Sequence, residues 1–270
     1  MANHRTQDLV EQYGNLVPTA RLRDGQPRSI LFDATTCIGC RQCVQACKDW
    51  NNHPRTSLYA LSSTNWITLE PPVLEGLSPL WARNSCMHCD FPACAAVCPV
   101  EAITKYEEGP VVINQATCIG CEYCIHACPW EVITHDEITA KAAKCSMCSD
   151  RVSQDKQPFC VQACPTQALD FGISEEIAAK ARSRAQANNG YVYGDREAGG
   201  GSTLYVLKEE KNKYGVRDVQ EHKFPAHKIP LALMVKDLFT LRCGLSGKLR
   251  ALYLALIHPK RLIYRYFAKS

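Results

Sequence analysis

Long apolar runs are absent from this chain of 270 residues, and aromatic side chains make up only 8% of it. Because a membrane-spanning helix needs about 20 consecutive apolar residues, no such helix is expected. The first eight residues, MANHRTQD, contain no apolar stretch and so do not predict a secretory signal peptide. The glycine triplet at 199–201 has neither a G-x-G-x-x-G nor a Walker pattern around it, which predicts a backbone turn rather than a phosphate site.

Cysteine, in contrast, is abundant, and sixteen of the seventeen cysteines fall into four runs of four. Runs one to four are Cys37-x2-Cys40-x2-Cys43-x3-Cys47, Cys86-x2-Cys89-x4-Cys94-x3-Cys98, Cys118-x2-Cys121-x2-Cys124-x3-Cys128 and Cys145-x2-Cys148-x11-Cys160-x3-Cys164. Proline follows the last cysteine of every run except the first, in which Lys48 takes its place. The spacing C-x2-C-x2-C-x3-C-P is typical of bacterial two-cluster ferredoxins, in which the fourth cysteine serves the other cluster. Sixteen ligands therefore predict four [4Fe–4S] clusters, and the lack of an evident catalytic constellation predicts an electron conduit.

Two other uses of cysteine compete with iron. Zinc also takes C-x2-C pairs, but it does not require a third and fourth cysteine at these spacings in every run. Disulfides would need an oxidising compartment. A structural or regulatory metal-binding module without a redox role is the alternative of a different class. Cys243 lies outside every run and is interpreted as a small apolar residue on a helix face.

Charge is unevenly distributed along the chain. The formal net charge is +4, but four clusters of about −2 each would bring it to about −4. The segment 222–270 holds ten Lys and Arg against one acid, Asp237, which marks a separate module. Its residues Leu249, Leu252, Tyr253 and Leu256 share one helical face. Such a basic amphipathic helix can lie on an anionic membrane or dock on protein, and both remain open.

The pattern of short strands and helices predicts an α+β fold. We expect two ferredoxin-like double-cluster units in a nested arrangement, with runs two and three inside and runs one and four outside. The predicted segments are an N-terminal arm at 1–28, an outer unit at 29–85 plus 136–173, an inner unit at 86–135, a capping helix and strand at 174–221, and the C-terminal basic amphipathic helical tail at 222–270.

Individual elements can also be predicted. The strands are expected at 29–32, 65–69, 102–104, 111–113, 132–134 and 203–207. A helix is expected at 174–188, with Ser174 as its N-cap and Glu175 and Glu176 in its first turn. Pro71 and Pro72 predict loop structure. The spacer of run four, 149–159, is expected to be a surface excursion that caps a cluster.

With these runs, the chain resembles the iron–sulfur (beta) subunit of molybdenum or tungsten formate dehydrogenases, within the four-cluster subunits of molybdopterin oxidoreductases. The resemblance covers roughly 28–210. The residues that carry it, besides the runs, are Cys47-Lys48-Asp49-Trp50-Asn51, Cys86-Met87-His88-Cys89, and the segment from Gly190-Tyr191 through Gly200-Gly201 to Tyr205-Val206-Leu207.

The resemblance implies how the cysteines are shared among clusters. In such subunits the first three cysteines of one run join the fourth cysteine of another. Carried over, the ligands are set A, Cys37, Cys40, Cys43 and Cys164; set B, Cys145, Cys148, Cys160 and Cys47; set C, Cys86, Cys89, Cys94 and Cys128; and set D, Cys118, Cys121, Cys124 and Cys98. By position, Lys48, Lys144 and Arg151 are candidates for tuning cluster potentials, with solvated surface charge as the alternative. His88 and His126 are expected to serve ordinary packing.

The resemblance also implies partners. A molybdopterin (Mo or W) catalytic subunit would oxidise formate, and a cytochrome or membrane subunit would take the electrons. Membrane-bound relatives end in a transmembrane helix, whereas this chain has the basic tail. In this respect the chain resembles soluble periplasmic enzymes that are exported with a twin-arginine partner. We therefore expect a periplasmic or cytoplasmic protein that does not span the membrane, with possible peripheral membrane contact through 222–270 and no nucleic-acid partner. A nitrate, polysulfide or dimethyl sulfoxide reductase, or a hydrogenase, would use the same conduit.

Overall fold

The computed structural model describes residues 17–56, 58–73 and 80–208, together with 214, 216 and 219. Within them the strands are β1 (Thr19–Ala20), β2 (Arg28–Asp33), β3 (Thr68–Val73), β4 (Leu80–Asn84), β5 (Ile103–Tyr106), β6 (Val111–Ile113), β7 (Thr134–Asp136), β8 (Lys141–Ala143), β9 (Leu169–Ile173), β10 (Tyr191–Tyr193) and β11 (Thr203–Leu207). The helices are α1 (Gln42–Trp50), α2 (Ala93–Ala96), α3 (Tyr123–Ala127), α4 (Ser149–Val152), α5 (Phe159–Gln162) and α6 (Ser174–Ala187). The mixture of short helices and small sheets agrees with the predicted α+β class.

The largest sheet joins the two ends of the cysteine-rich region. Its strand order is β10-β11-β2-β9, with β11 parallel to β2 and the other two pairs antiparallel. Strand β2 precedes run one and its neighbour β9 follows run four, so this pairing brings the first and last runs together. Strand β2 is buried along its whole length, as expected for a central strand with both faces covered.

The alternation of side chains along this sheet separates two cores. Leu31 and Val206 face α6 and pack with its Ile177 and Ala181. The alternate residues of β2 and β11 point to the opposite face and join the larger core, which also contains most of the cysteines of the runs. The sheet is therefore a wall, with a helix on one side and the cysteine-rich core on the other.

Three smaller sheets support the remaining runs. Strands β5 and β6 form an antiparallel hairpin between runs two and three, and β1 adds to it in parallel. Strands β7 and β8 form the corresponding hairpin between runs three and four. Strands β3 and β4 form a hairpin in the insertion between runs one and two.

Several predicted elements need correction. The strand predicted at 65–69 is shifted, since β3 spans Thr68–Val73 and includes the prolines assigned to a loop. The register of the β3–β4 hairpin shifts between Glu70 and Val73, and such an irregularity accommodates proline, which cannot donate a ladder hydrogen bond. The strand predicted at 132–134 begins only at Thr134.

The helix predicted at 174–188 is confirmed as α6, with both glutamates in its first turn, but its cap is not. Ile173 occupies the N-cap position, and Ser174 is the first helical residue. The Ser174 hydroxyl instead forms a hydrogen bond of 2.8 Å with the hydroxyl of Ser29. Among the described residues, no helix combines the length and apolar character needed to cross a bilayer. The basic tail at 222–270 and Cys243 lie outside the described residues.

Candidate iron–sulfur cluster sites

Each run begins with the same backbone turn. The residue before the second cysteine has positive φ in all four runs: Gly39 at 68°, His88 at 49°, Gly120 at 68° and Met147 at 57°. This conformation costs a non-glycine residue about 1–2 kcal/mol, so His88 and Met147 keep it at an energetic cost. The turn directs backbone N–H groups towards sulfur: those of His88 and Met147 donate to Cys86 and Cys145 Sγ, each at 3.4 Å.

A short helix carries the end of each run. The third cysteine lies within α1, α2, α3 or α5, and the fourth follows four residues later in sequence. Because four residues make about one helical turn, α1 fixes the separation between Cys43 and Cys47, whereas α2, α3 and α5 end before the fourth cysteine of their run. In run one, Lys48 replaces the proline that follows the fourth cysteine of the other runs, and the helix continues past Cys47 to Trp50. Helices α1 and α5 pack against each other, which brings the ends of runs one and four together.

The thiols of set A are electrostatic neighbours. Burial raises the pKa of Cys37, and the charges of Cys164 and Cys40 raise it further. Burial likewise raises the pKa of Cys43 to about 12, with Cys37 and Cys164 adding to the effect. Cys164 belongs to run four, yet the fold places it beside the first three cysteines of run one.

Set B shows the reciprocal exchange. Burial raises the pKa of Cys47 well above its ordinary value, and Cys145, Cys160 and Cys148 add to this shift. Burial also raises the pKa of Cys148 to about 12, with Cys145 and Cys160 contributing. The fourth cysteine of run one thus lies among the first three cysteines of run four.

Runs two and three exchange their last cysteines in the same way. In set C, burial raises the pKa of Cys94 well above its ordinary value, and Cys128, Cys86 and Cys89 add to it. In set D, burial raises the pKa of Cys124, and its neighbours include Cys121, Cys98 and Cys118. The electrostatic neighbours of these thiols thus include members of each group of four that the resemblance implies.

The environment of these thiols fits a cluster better than free cysteine. The described part of the chain contains no disulfide among the sixteen. Buried thiols with raised pKa values stay protonated unless a cation compensates the thiolate, and bound iron does so. No three Cys, His, Asp or Glu side chains of the described ranges converge closely enough to hold a single metal ion. A cubane takes its four thiolates on four separate iron atoms, so its ligands need no common point.

A cavity lies among the thiols of set D. It has an empty volume of ≈ 330 Å³, with open solvent at its mouth included, and the four cysteines of the set line it. The remaining lining is mainly apolar, from residues such as Ile103, Ile113 and Ile119. A recess walled by four thiols and aliphatic side chains suits a cofactor that must be held by sulfur and shielded from water.

Further hydrogen-bond donors reach the sulfur atoms. The N–H of Ala102 donates to Cys98 Sγ at 3.2 Å, and the indole Nε1–H of Trp130 donates to Cys89 Sγ at 3.3 Å. The amide of Asn51 lies 3.7 Å from Cys47 Sγ. Donors to sulfur stabilise the more negative, reduced form of a cluster, so these contacts would adjust its potential.

The three predicted tuning cations have different surroundings. Lys144 is buried, and its Nζ donates to the carbonyls of Val111 and Cys145. Lys48 is also buried, but its Nζ donates to Pro54 O and Thr56 Oγ1, which fixes the loop after α1. The charge of Lys144 faces the thiols of two sets, whereas that of Lys48 faces Cys47.

Arg151 holds the spacer of run four. Its guanidinium lies over the rings of Trp50 and Phe159, 4.6 and 5.2 Å from their centroids. It also donates to Gln157 O at 2.8 Å and Gln162 Oε1 at 2.6 Å. These contacts give Arg151 a structural role in packing the spacer on α1.

The two histidines differ from each other. His88 is fully buried, and its Nδ1 accepts a hydrogen bond of 2.9 Å from the N–H of Val111, which agrees with the predicted packing role. His126 is exposed on α3, so the packing predicted for it is wrong. The helix turns this position outward, because Cys124 and Ala127 occupy its inner side.

Sequence reasoning missed Arg83. This residue of β4 is 2% exposed, and its charge faces Cys160, Cys145 and Cys43. Its position three residues before run two was the only signal available, and it gave no indication that the hairpin turns the side chain towards runs one and four.

The glycine triplet at 199–201 packs against run two. Gly199 and Gly200 have positive φ, as the predicted turn requires. The N–H of Asp90 donates to Gly200 O at 3.0 Å, and Gly201 forms an antiparallel bridge with Cys89. A Cβ on Gly201 would lie 2.5 Å from Met87 O, so only glycine allows this close approach.

Comparison with known proteins agrees with this site. The family model of 4Fe-4S dicluster domains matches residues 79–174, which hold runs two, three and four. The chain is similar to the formate dehydrogenase-O iron-sulfur subunit of Escherichia coli, with 34% identity over 227 residues, 76% of this chain and 75% of that subunit.

Two further relatives differ in coverage. The chain is 38% identical over 153 residues to the B subunit of the anaerobic dimethyl sulfoxide reductase of Escherichia coli, which covers 55% of this chain and 75% of that subunit. A protein of Nitratidesulfovibrio vulgaris is 36% identical over 196 residues, 66% of this chain and 53% of that protein. The chain thus spans about half the length of this last relative.

Proposed function

Because the chain belongs to the family of iron–sulfur electron-transfer subunits that includes those of formate dehydrogenases and dimethyl sulfoxide reductase, we propose that it serves a formate dehydrogenase. In this proposal it carries four [4Fe–4S] clusters between a molybdopterin catalytic subunit and an external electron acceptor. The observation that carries the proposal is that thiols of different runs lie close enough to act on one another electrostatically, in the combinations that make up sets A to D.

The proposed ligands are the four sets named above. Each set combines three cysteines of one run with the fourth cysteine of another. Clusters A and B would form the outer pair and clusters C and D the inner pair, in the nested arrangement of an outer unit, 29–85 plus 136–173, around an inner unit, 86–135. The pairing of β2 with β9 and the packing of α1 on α5 support the outer pair.

Contacts between sets suggest the order of the four clusters. Cys43 of set A has Cys160 of set B as a neighbour. Cys145 of set B faces Cys86 of set C. Cys124 of set D faces Cys94 of set C. We therefore propose the linear order A–B–C–D.

The exposure of the thiols fits this order. Cys40 of set A is exposed, and Cys118 and Cys121 of set D are half-buried, whereas the thiols of set B are all buried. Sites at the ends of a conduit must come near the surface to exchange electrons with partners, and internal sites need not.

When bound, each cluster would accept and release one electron at a time. The chain's own residues would hold each cluster by four thiolates, exclude water with aliphatic side chains, and supply N–H donors to sulfur. Short helices and buried strands hold the cysteine-bearing segments in place, which would keep the distances between neighbouring sites constant. The protein thereby sets both the path and the relative potentials of the sites.

The proposed location and partners follow from the family. We propose a periplasmic protein co-exported with a twin-arginine partner, or a cytoplasmic one, that associates with its catalytic subunit and with a cytochrome or membrane subunit. The basic tail at 222–270 would contact either an anionic membrane surface or a partner subunit.

Formate-dependent reduction of a viologen dye tests this function. The native complex is purified without oxygen through a tag on this chain. The proposal predicts a co-purifying large molybdopterin subunit and dye reduction that depends on formate. A large molybdopterin partner that leaves formate unreacted would contradict the formate assignment.

A reductase for dimethyl sulfoxide is the second candidate, and the similarity to the B subunit of dimethyl sulfoxide reductase supports it. Nitrate and polysulfide reductases and hydrogenases would use the same conduit. The same purified complex, supplied with reduced viologen, would then oxidise the dye with one of these acceptors. Absence of any large partner would instead favour a free multi-cluster ferredoxin.

A further inference from the structure

Arg83 is a buried cation with too few partners. It is 2% exposed, and its Nη1 donates to Ser85 Oγ. Its Nε and Nη2 groups have no hydrogen-bond partner of good geometry among the described residues. Because a guanidinium remains protonated at any working pH, the Nε–H and the two N–H groups of Nη2 carry charge inside the protein without an acceptor of good geometry.

The charge of Arg83 also lacks a carboxylate. Within residues 17–56, 58–73 and 80–208, no Asp or Glu forms an ion pair with it. An uncompensated buried charge costs several kcal/mol, so a stable fold needs an anion beside it. The groups whose charges favour the protonated guanidinium are Cys160, Cys145, Cys43 and the Tyr205 hydroxyl.

Those cysteines belong to two different sets. Cys43 is in set A, while Cys145 and Cys160 are in set B. The Arg83 side chain lies within hydrogen-bonding reach of Cys160, and its charge also acts on Cys43 and Cys145. The guanidinium therefore faces the junction of the two outer sites.

We propose that Arg83 is a positioning residue of the outer pair, whose free N–H groups donate to sulfur at sites A and B and raise both reduction potentials. This inference rests on the proposed ligand sets. Reduction adds negative charge at a site, and a fixed neighbouring cation in a buried environment stabilises that charge. The clusters supply the anion that the protein does not, and Arg83 makes them easier to reduce.

Replacement of Arg83 by glutamine in the oxygen-free complex tests the proposal. In a potentiometric titration followed by electron paramagnetic resonance, the signals of two of the four clusters, those at sites A and B, should change. At a fixed potential their reduced-to-oxidised ratio should fall about tenfold, which corresponds to 59 mV for one electron. The component of site D should keep its ratio.

The matched control is Arg55→Gln. Arg55 lies in the same insertion but is 75% exposed and paired with Asp49. Its replacement removes the same charge and should leave all four ratios unchanged, because solvent screens it. Full iron content in Arg83→Gln with unchanged outer ratios would overturn the proposal.

Arg83→Lys covers the case in which the glutamine variant loses clusters. Lysine keeps the charge, so the clusters should be retained. The reduced-to-oxidised ratio of the outer pair should lie between the ratios of the wild type and of the glutamine variant. Lysine variants that also lose clusters would assign Arg83 to packing alone and overturn the proposal. A wild-type complex with fewer than four cubanes on this chain would instead contradict the proposed ligand sets, whatever Arg83 does.

Discussion

At the scale of single residues, Lys144 is a buried cation whose charge faces thiols of sets B and C. Burial opposes its charge, but Cys86, Cys94, Cys145 and Cys128 outweigh this effect and raise the pKa of Lys144. Two of its N–H groups are taken up by carbonyls, which leaves the ammonium fixed in place. A fixed positive charge at this position should favour the reduced state of the sites on both sides.

Lys144→Met should therefore make these sites harder to reduce. We expect the reduced-to-oxidised ratio of two components to fall about tenfold at fixed potential, or about 59 mV. Lys156→Met is the control, because Lys156 is exposed and its Nζ donates to Gln154 Oε1 rather than facing a thiol. Equal titration curves for Lys144→Met and wild type, at equal iron content, would show that the lysine has no tuning role.

Residue-scale prediction rests on local spacing. Thiols three residues apart are predicted to be ligands from the sequence alone, and Lys144 was singled out because it adjoins Cys145. Arg83 was missed because its contacts depend on how the β3–β4 hairpin lies across runs one and four. Arg151 adjoins a run equally closely, yet its guanidinium packs on two aromatic rings.

At the scale of elements, the glycine loop 199–201 supports the run-two turn. The N–H of Ser202 donates to His88 O at 3.1 Å, so the loop and the turn share backbone hydrogen bonds. Gly201→Ala should force Met87 and the cluster C ligands apart, at a cost of about 1–3 kcal/mol. The expected result is a lower midpoint of thermal unfolding and partial loss of one cluster by iron content.

Gly172→Ala is the matched control for this substitution. A Cβ at Gly172 would meet Ile177 at 3.6 Å, an ordinary contact, so stability and iron content should remain close to wild type. If both alanine variants behaved alike, the close approach of Gly201 to run two would not be important.

Glu108 anchors the segment before β2. Its carboxylate accepts backbone hydrogen bonds from Leu22, Arg23 and Gly25 at 2.7–2.9 Å. Burial alone would raise the pKa of Glu108, but these donors outweigh it and the net pKa is lowered. The ionised form thus stabilises the fold above the unfolded pKa of about 4.3, and the contribution is lost as pH falls through the lower folded pKa.

Glu108→Gln should release this segment at neutral pH, because hydrogen bonds to a charged group are worth about 1.5–3 kcal/mol. Hydrogen exchange at the amides of Leu22, Arg23 and Gly25 should speed up, and wild type should approach the same rates in acid. Glu107→Gln removes an exposed pair with Arg21 and should change little. Unaltered protection in Glu108→Gln would argue against the anchor.

Element prediction was good where periodicity is strong. The hairpin between runs two and three and the strand at 203–207 were predicted, and the helix predicted at 174–188 spans Ser174–Ala187, because apolar alternation and helical composition are local signals. The strand predicted at 65–69 was misplaced relative to β3 because Pro71 and Pro72 normally interrupt strands. Ser174 lost its predicted cap role to a tertiary hydrogen bond with Ser29.

At the scale of the whole molecule, the two cores differ in composition. Among the described residues, the core beneath α6 contains no cysteine, whereas the larger core contains most of the thiols of the runs. Sequence pattern could not predict this division, because it depends on β2 lying between β11 and β9. The exchange of fourth cysteines was implied by family resemblance, and spacing alone leaves the partner of each run open.

The central claim is that each of four clusters takes its ligands from two runs, and that the clusters lie in the order A–B–C–D. Anomalous diffraction on either side of the iron edge, from crystals of the oxygen-free complex, tests it most directly. The account predicts four cubane iron sites on this chain, each with three cysteines of one run and the fourth of its partner run. Fewer sites, zinc in place of iron, or four ligands from a single run at any site would contradict it.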